Sequence, residues 1–199
     1  MPDCPPVWHP RLYLVSDFFD QATCRRVRTA MDRGTADPAE VFDPGATLDL
    51  TARRASSIDV ERATLDAVEA TLDAGRHAVE AHYHRSLTSR EGPGFLRYGA
   101  GGFYRRHRDR SADSAWPGAR RRVVSLIVFL NSSRTRPAPG EFGGGELIIF
   151  PELPDVSATS EAITVVPQEG ALVAFDASTP HEVLPVRDGM RDVIVDWYY

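Results

Sequence analysis

His107 and Asp109 are separated by one residue and follow an apolar segment and a glycine turn, in the stretch Phe95-Leu96-Arg97-Tyr98-Gly99-Ala100-Gly101-Gly102-Phe103-Tyr104-Arg105-Arg106-His107-Arg108-Asp109. Successive side chains of an extended chain alternate between its two faces, so these two side chains point the same way. An imidazole and a carboxylate held side by side are two suitable ligands for a transition metal. The sequence therefore predicts a metal site whose third ligand comes from a distant segment.

His181 is the best candidate for the third ligand, because it lies between two apolar segments and follows the turn Asp176-Ala177-Ser178-Thr179-Pro180. Two imidazoles and one carboxylate leave three metal positions open, as in non-heme Fe(II) oxygenases. The alternative is a His-x-Asp pair that satisfies hydrogen bonds inside a barrel without a metal. The remaining histidines are predicted to be solvated or hydrogen-bonded: His9, His77, His82 and His84.

Six short motifs occur in order within residues 92–199. They are Arg97-Tyr98-Gly99-x-Gly101-x-Phe103-Tyr104-x-x-His107-x-Asp109, Phe129-Leu130-Asn131, Gly144-Gly145-Glu146-Leu147, Phe150-Pro151, Gly170-x-Leu172-Val173-x-Phe175 and His181-x-Val183-x-Pro185-Val186. This pattern resembles the prolyl 4-hydroxylase-like branch of the Fe(II)/2-oxoglutarate dioxygenases. The resemblance implies that His107, Asp109 and His181 bind Fe(II) as the catalytic metal centre. It also implies that 2-oxoglutarate and O₂ are consumed, that an unactivated C–H bond is hydroxylated, and that succinate and CO₂ are released. Ascorbate is a candidate reductant.

The same resemblance implies a basic residue about ten positions after the second histidine, where it binds the distal carboxylate of 2-oxoglutarate. All 23 basic residues of this chain are arginine, and Arg191 stands at that offset. A guanidinium can donate two parallel hydrogen bonds to a carboxylate. Arg187 is the competing candidate, but it belongs to the turn Arg187-Asp188-Gly189 and is predicted to be solvated.

Tyr98 matches the family tyrosine that donates a hydrogen bond to the co-substrate, and its alternative role is that of a core aromatic residue. Some relatives have a second co-substrate tyrosine where this chain has Phe129. Ser125 and Thr164 are therefore alternative hydroxyl donors.

Composition limits both chemistry and location. The absence of lysine excludes Schiff-base catalysis and a phosphate-loop lysine. The chain has no apolar run of about 20 residues, lacks the features of a signal peptide and contains two cysteines, so a cytoplasmic location is expected, without a membrane partner. The arginine pattern that closes nucleic-acid repair oxygenases is not found after His181, so no nucleic acid partner is expected.

The predicted elements are a strand at 11–19, helices at 21–33 and 60–84, a loop at 35–52, a short strand at 53–58, and eight strands between 95 and 198. Long connections are predicted at 110–120 and 131–144. Apolar runs separated by glycine and proline are typical of a jelly roll. The fold class is therefore mainly β with N-terminal helices (α+β), with a double-stranded β-helix (jelly-roll, cupin-like) core flanked by two long helices. Residues 1–91 are predicted to form a supporting unit and 92–199 the oxygenase core, within one structural domain.

Ten arginines against two acidic residues lie between Arg97 and Arg136. This excess predicts an anionic substrate or carrier, such as an acidic peptide, a free amino acid or organic acid, or a carrier-bound acyl group. The alternative is that these arginines are solvated or paired with acidic residues of the helices. Three functions stay open at this point: a dioxygenase acting on prolyl or other peptidyl residues, the same machinery acting on an amino-acid-like small molecule, and a non-catalytic metal-binding barrel or zinc hydrolase.

Overall fold

The computed structural model describes residues 11–41, 47–114, 116–151 and 161–199. The helices are α1 Gln21–Arg33, α2 Arg62–Tyr83 and the short α3 Pro117–Arg121. The strands are β1 Leu12–Val15, β2 Thr35–Pro38, β3 Arg53–Arg54, β4 Ser56–Asp59, β5 Gly94–Tyr98, β6 Phe103–His107, β7 Val124–Phe129, β8 Gly143–Gly144, β9 Leu147–Ile149, β10 Ile163–Val165, β11 Leu172–Asp176, β12 His181–Val183, β13 Val186–Asp188 and β14 Arg191–Tyr198.

The two long helices follow from local sequence signals. Asp20 caps α1, since its carboxylate accepts a 2.6 Å hydrogen bond from the backbone N–H of Thr23, and the helix ends before Gly34 as predicted. In α2, Val68, Leu72 and Val79 recur at helical spacing and are buried. Gly75 is tolerated inside this helix because a Cβ there would come within 2.7 Å of the Phe18 ring, which packs against it.

The strands form a seven-stranded sheet in the order β1-β11-β7-β14-β5-β4-β2, a five-stranded sheet in the order β10-β9-β12-β6-β3, and the pair β13-β8. The pairings within these sheets are antiparallel. The arrangement is the predicted jelly roll, built from facing sheets without a closed barrel. The N-terminal strands belong to the same sheets as the core strands, because β1 pairs with β11 and β4 pairs with β5.

The large sheet separates two apolar clusters. Along β7, Leu126 and Val128 pack with residues of α1 and α2, whereas Ile127 and Phe129 pack on the opposite face with β9 and β12 residues such as Leu147. This two-residue alternation is expected for a strand that is covered on both faces. The helices therefore cover the outside of the large sheet, and the space between the sheets is left for the site.

Several sequence predictions about the elements were wrong in detail. Residues 35–52 are not entirely loop, because β2 pairs with β4 at the sheet edge. The single strand predicted at 53–58 is two strands in different sheets, β3 on β6 and β4 on β5. The predicted strand 181–186 is likewise divided between β12 and β13. The helix α3 lies within the connection 110–120, so not every helix precedes the core strands.

Two further predictions concern residues that are described only in part. His9 lies outside the described residues, as does the middle of the predicted loop at 35–52.

In the described ranges, no helix is long and apolar enough to cross a membrane.

Candidate metal and co-substrate site

Strand pairing brings together the three predicted metal ligands. β12 pairs antiparallel with β6 so that His181 lies directly opposite His107, with 4.2 Å between the ring centroids. Asp109 follows the end of β6, and its carboxylate oxygens lie 3.6 Å from His107 Nε2 and 3.5 Å from His181 Nε2. One ligand atom from each of the three residues lies within 4.8 Å of the other two. A single ion between them could reach all three.

In both histidines the Nδ1 nitrogen is hydrogen-bonded, so that Nε2 is available to bind a metal. His107 Nδ1 is 2.8 Å from the Arg105 carbonyl oxygen, and His181 Nδ1 is 3.0 Å from the Thr179 carbonyl oxygen. A carbonyl oxygen only accepts hydrogen bonds, so each Nδ1 carries the proton and each Nε2 offers its lone pair. Metal-binding histidines generally donate their other ring N–H to a backbone carbonyl, a carboxylate or a water molecule, and both histidines make such a bond to a carbonyl here.

The charge states of the cluster suit a divalent cation. Burial, together with the neighbouring His107 ring, lowers the pKa of His181 to about 4, so its imidazole is neutral at pH 7. Burial alone would raise the pKa of Asp109, but the His181 and His107 rings and the Ser125 hydroxyl outweigh it and hold that pKa below its ordinary value. Two imidazoles and one carboxylate are a donor set of the kind found in non-heme Fe(II) sites.

Ser125 has a different contact from the one considered in the sequence analysis. Its hydroxyl donates a 2.6 Å hydrogen bond to Asp109 Oδ2 and so orients the carboxylate. The signal in the sequence was a lone serine within the apolar run of β7, where a buried hydroxyl requires a partner. Thr164, the other alternative donor, is exposed on β10 and is not among the cavity-lining residues.

Arg191 is the largest of the fully buried side chains, only 1% exposed. Its Nε donates to the Gly145 carbonyl oxygen at 3.0 Å, while Nη2 is buried and has no hydrogen-bond partner among the described residues. Burial lowers the pKa of Arg191 to about 10, which still leaves the guanidinium charged at neutral pH. A buried charged N–H without a partner is costly unless a ligand supplies the acceptor. Arg187, the competing candidate, is exposed.

Tyr98 lies directly opposite Arg191 in the pairing of β5 with β14, and the guanidinium carbon is 5.0 Å from the tyrosine ring centroid. Phe129 lies on the other neighbouring strand, with its ring centroid 5.4 Å from the same carbon. The backbone of Gly145 lies against the Arg191 side chain, since a Cβ at Gly145 would come within 3.0 Å of Arg191 Cδ. Gly145 also has φ +67°, a backbone conformation that favours glycine. The aromatic rings and the glycine turn hold the guanidinium in one place.

One cavity of about 1590 Å³ is lined by the three metal donors and the two co-substrate candidates, namely His107, Asp109, His181, Tyr98 and Arg191. Pockets for single small ligands usually measure about 300–1,000 Å³. The space therefore accommodates a small dicarboxylate together with part of a second molecule.

The arginines of the segment 97–136 differ in their surroundings, and Arg122 is both paired and part of the cavity wall. Some are paired inside the fold: Arg97 binds Asp192 through two nitrogens, at 2.6 and 3.0 Å, and Arg122 binds Glu91. Five of the ten line the cavity: Arg105, Arg106, Arg108, Arg110 and Arg122. The pairing alternative from the sequence analysis thus holds for part of the cluster, although the partners lie on strands and loops as well as on helices.

A jelly-roll core with two histidines and a carboxylate grouped between its sheets defines the class of non-heme Fe(II) oxygenases. Residues 93–199 match the model of the 2OG-Fe(II) oxygenase superfamily, and the chain belongs to that family. The family is defined by its use of Fe(II) and 2-oxoglutarate, and the three converging donors of this chain suit a divalent metal ion.

Individual relatives agree with this assignment. The chain is 35% identical over 108 residues to a PKHD-type hydroxylase of Nitrobacter winogradskyi, a match that spans 53% of this chain and only 42% of that protein. A prolyl-4-hydroxylase from Pseudomonas putida is 25% identical, with a TM-score of 0.70 over 94% of this chain and 91% of the other. A Trichoplax adhaerens prolyl hydroxylase, solved with a hypoxia inducible factor peptide fragment, has the same fold at 18% identity and a TM-score of 0.68, covering 96% of this chain and 84% of that one.

Proposed function

We propose that this chain is a hydroxylase in which His107, Asp109 and His181 bind Fe(II), and Arg191 and Tyr98 bind 2-oxoglutarate. The observation that carries the proposal is one shared cavity that holds three converging metal donors and a buried guanidinium whose Nη2 lacks a partner within the described part of the chain. When bound, Fe(II) and 2-oxoglutarate activate O₂ for C–H hydroxylation, with release of succinate and CO₂.

Each residue has a defined task in this proposal. His107, Asp109 and His181 would hold the ion, and the cavity beside them would receive the co-substrates. Arg191 receives the distal carboxylate of 2-oxoglutarate through its unpartnered nitrogen, where the low exposure strengthens the charge-assisted hydrogen bond. Tyr98 supports the guanidinium through its ring and is the proposed hydroxyl donor to the co-substrate. Ser125 keeps Asp109 oriented toward the ion.

For the primary substrate we propose a prolyl or other peptidyl residue, or an amino-acid-like small molecule. Support comes from the names of the relatives, which include prolyl hydroxylases and one structure with a bound peptide fragment. The large cavity volume is also consistent with a second molecule beside 2-oxoglutarate. Ascorbate as a reductant and a cytoplasmic location stay predictions from the sequence.

The experiment measures succinate formation by the purified protein with Fe(II), 2-oxoglutarate and O₂, with and without prolyl peptides and free amino acids. We expect succinate release that depends on iron and that one substrate class stimulates. A wild-type rate no higher than that of the His107→Ala and His181→Ala variants would contradict the proposal. It would favour the remaining alternatives, a non-catalytic metal-binding barrel or a zinc hydrolase.

A further inference from the structure

A second arginine on the cavity wall, Arg53, also has a buried nitrogen without a partner in the described ranges. It belongs to β3, the edge strand that pairs with β6 beside the metal ligands. Its Nη1 donates to the Glu40 carbonyl oxygen at 2.8 Å, which fixes the guanidinium in place. Its Nε is buried and makes no hydrogen bond within the described structure. The Nη1 nitrogen therefore has its acceptor, whereas the Nε–H still requires one.

Arg53 is linked to the metal site by a stack of rings. Its guanidinium carbon lies 4.7 Å from the centroid of the Tyr104 ring, and the Tyr104 ring stacks on the His107 imidazole at 3.5 Å. The guanidinium carbon of Arg53 therefore lies no farther from the centroid of the His107 ring than the sum of these two distances. A molecule bound to Arg53 could place a neighbouring carbon at the metal.

The charge of Arg53 is not compensated by an ion pair among the described residues. Arg122, on the same cavity wall, is neutralised by Glu91 through two hydrogen bonds. Arg53 contacts Glu40 only through a backbone carbonyl, and the Glu40 residue is exposed. Arg191 lies at a different place on the cavity wall. Its guanidinium contacts Tyr98 and Gly145, whereas the Arg53 guanidinium contacts Tyr104. Arg53 and Arg191 are thus two cations of the cavity wall that each have a buried nitrogen without a hydrogen-bond partner among the described residues, and the distal carboxylate of 2-oxoglutarate would satisfy only one of them.

We propose that Arg53 binds a carboxylate of the primary substrate and so determines which molecules are hydroxylated. This inference rests on the proposed function, since it assigns a substrate class to the same cavity. Consecutive Cα atoms are about 3.8 Å apart, so the short path from Arg53 to His107 corresponds to about one or two residues. The carboxylate is therefore the α-carboxylate of the reacting residue or the side chain of an acidic residue next to it.

The test uses matched pairs of probes that differ in one charge. N-acetyl-L-proline and N-acetyl-L-prolinamide test the α-carboxylate, and N-acetyl-prolyl-aspartyl amide and N-acetyl-prolyl-asparaginyl amide test the side chain. Binding is measured by calorimetry under anaerobic conditions to protein loaded with Fe(II) and 2-oxoglutarate. The variants are Arg53→Gln, Arg53→Lys and Arg54→Gln. Arg54 is a matched control because it is the neighbouring arginine, exposed and absent from the cavity wall.

We expect wild-type protein to bind at least one carboxylate about 10- to 100-fold more tightly than its amide, which is the usual range for a charge-assisted hydrogen bond. Arg53→Gln should abolish this preference, Arg53→Lys should keep part of it, and Arg54→Gln should keep all of it. The pair that shows the preference identifies the source of the carboxylate. The proposal is wrong if wild-type protein prefers neither carboxylate or if Arg53→Gln retains the preference.

Succinate assays on the same samples separate this proposal from the proposed function. A carboxylate preference without any iron-dependent succinate formation supports the role of Arg53 and contradicts the hydroxylase. Iron-dependent succinate formation stimulated equally by acids and amides supports the hydroxylase and overturns the role of Arg53.

Discussion

Tyr98 and Arg191 face each other across β5 and β14, with the arginine side chain over the tyrosine ring. The pair places a fully buried cation on the wall of the cavity that also contains the three converging metal donors. The sequence alone suggested both residues, 93 positions apart, for the same small molecule. Their direct pairing shows how one ligand could contact both.

Replacing Arg191 tests the co-substrate assignment. Arg191→Gln should raise the KM for 2-oxoglutarate about 10- to 100-fold, because it removes a charge-assisted hydrogen bond to the distal carboxylate. Arg187→Gln is the matched control and should leave the KM unchanged, since Arg187 is exposed in the turn after β13. Steady-state succinate assays at varied 2-oxoglutarate give both values. An effect confined to Arg187→Gln would move the carboxylate site to that residue.

Ser125→Ala tests the orientation of Asp109. Loss of the 2.6 Å hydrogen bond should weaken metal affinity about 10- to 100-fold, as is typical when a contact that orients a metal ligand is removed. Titration of the metal-free protein with Co(II), followed by its visible absorption, measures the affinity directly. Ser125→Thr keeps the hydroxyl and should restore much of the binding. Equal affinities for wild type and Ser125→Ala would show that Asp109 is oriented without Ser125.

His82 makes the fold sensitive to mild acid. Burial, and to a smaller extent His84, lowers the pKa of His82, which lies between Tyr13 and Tyr83 with its Nε2 buried and without a partner among the residues that the structure describes. The unfolded chain, with an ordinary histidine pKa of about 6.5, then binds more protons than the folded chain. The free energy of unfolding should therefore fall as the pH drops below about 6.5.

The measurement is the urea midpoint of the metal-free protein at neutral and mildly acidic pH. His82→Phe keeps an aromatic ring and should reduce the loss of stability between these two conditions. His77→Gln is the control, because His77 is exposed on the same helix. An unchanged pH dependence in His82→Phe would assign the acid sensitivity to another group.

We propose that residues 1–91 and 92–199 form one structural domain. The large sheet includes β1, β2 and β4 from the first part, and α1 and α2 cover its outer face with buried residues such as Val27 and Leu72. A fragment of residues 92–199 should therefore expose an apolar sheet face and fail to unfold cooperatively. Thermal unfolding followed by circular dichroism compares the fragment with the full chain. A cooperative transition in the fragment would show that the first 91 residues are an accessory unit.

The sequence was sufficient to predict the residues that meet at the site, because each one lies in a motif with a fixed offset. His107 and Asp109 are two residues apart, and His181 and Arg191 are separated by ten. It was also sufficient for α1, whose capping residues Asp20 and Gly34 define both ends. These features depend on local backbone geometry, so a linear pattern retains them.

Features that depend on long-range pairing could not be predicted in the same way. The segment 53–58 has one apolar pattern, yet Arg53 joins the small sheet and Ser57 the large one. The contact of Ser125 with Asp109 requires that β7 lie beside the end of β6 in space. The buried Arg53 nitrogen that lacks a partner among the described residues could not be predicted, because its environment depends on the stacking of the Arg53, Tyr104 and His107 side chains.

The measurement that tests the central claim most directly is the visible absorption of the protein with Fe(II) and 2-oxoglutarate under anaerobic conditions. Binding of 2-oxoglutarate to the iron is expected to produce a charge-transfer band in wild type and in the Arg187→Gln control. The band should be lost in His107→Ala and His181→Ala. A wild-type protein without this band, or variants that retain it, would contradict the assignment of His107, Asp109 and His181 as the iron site.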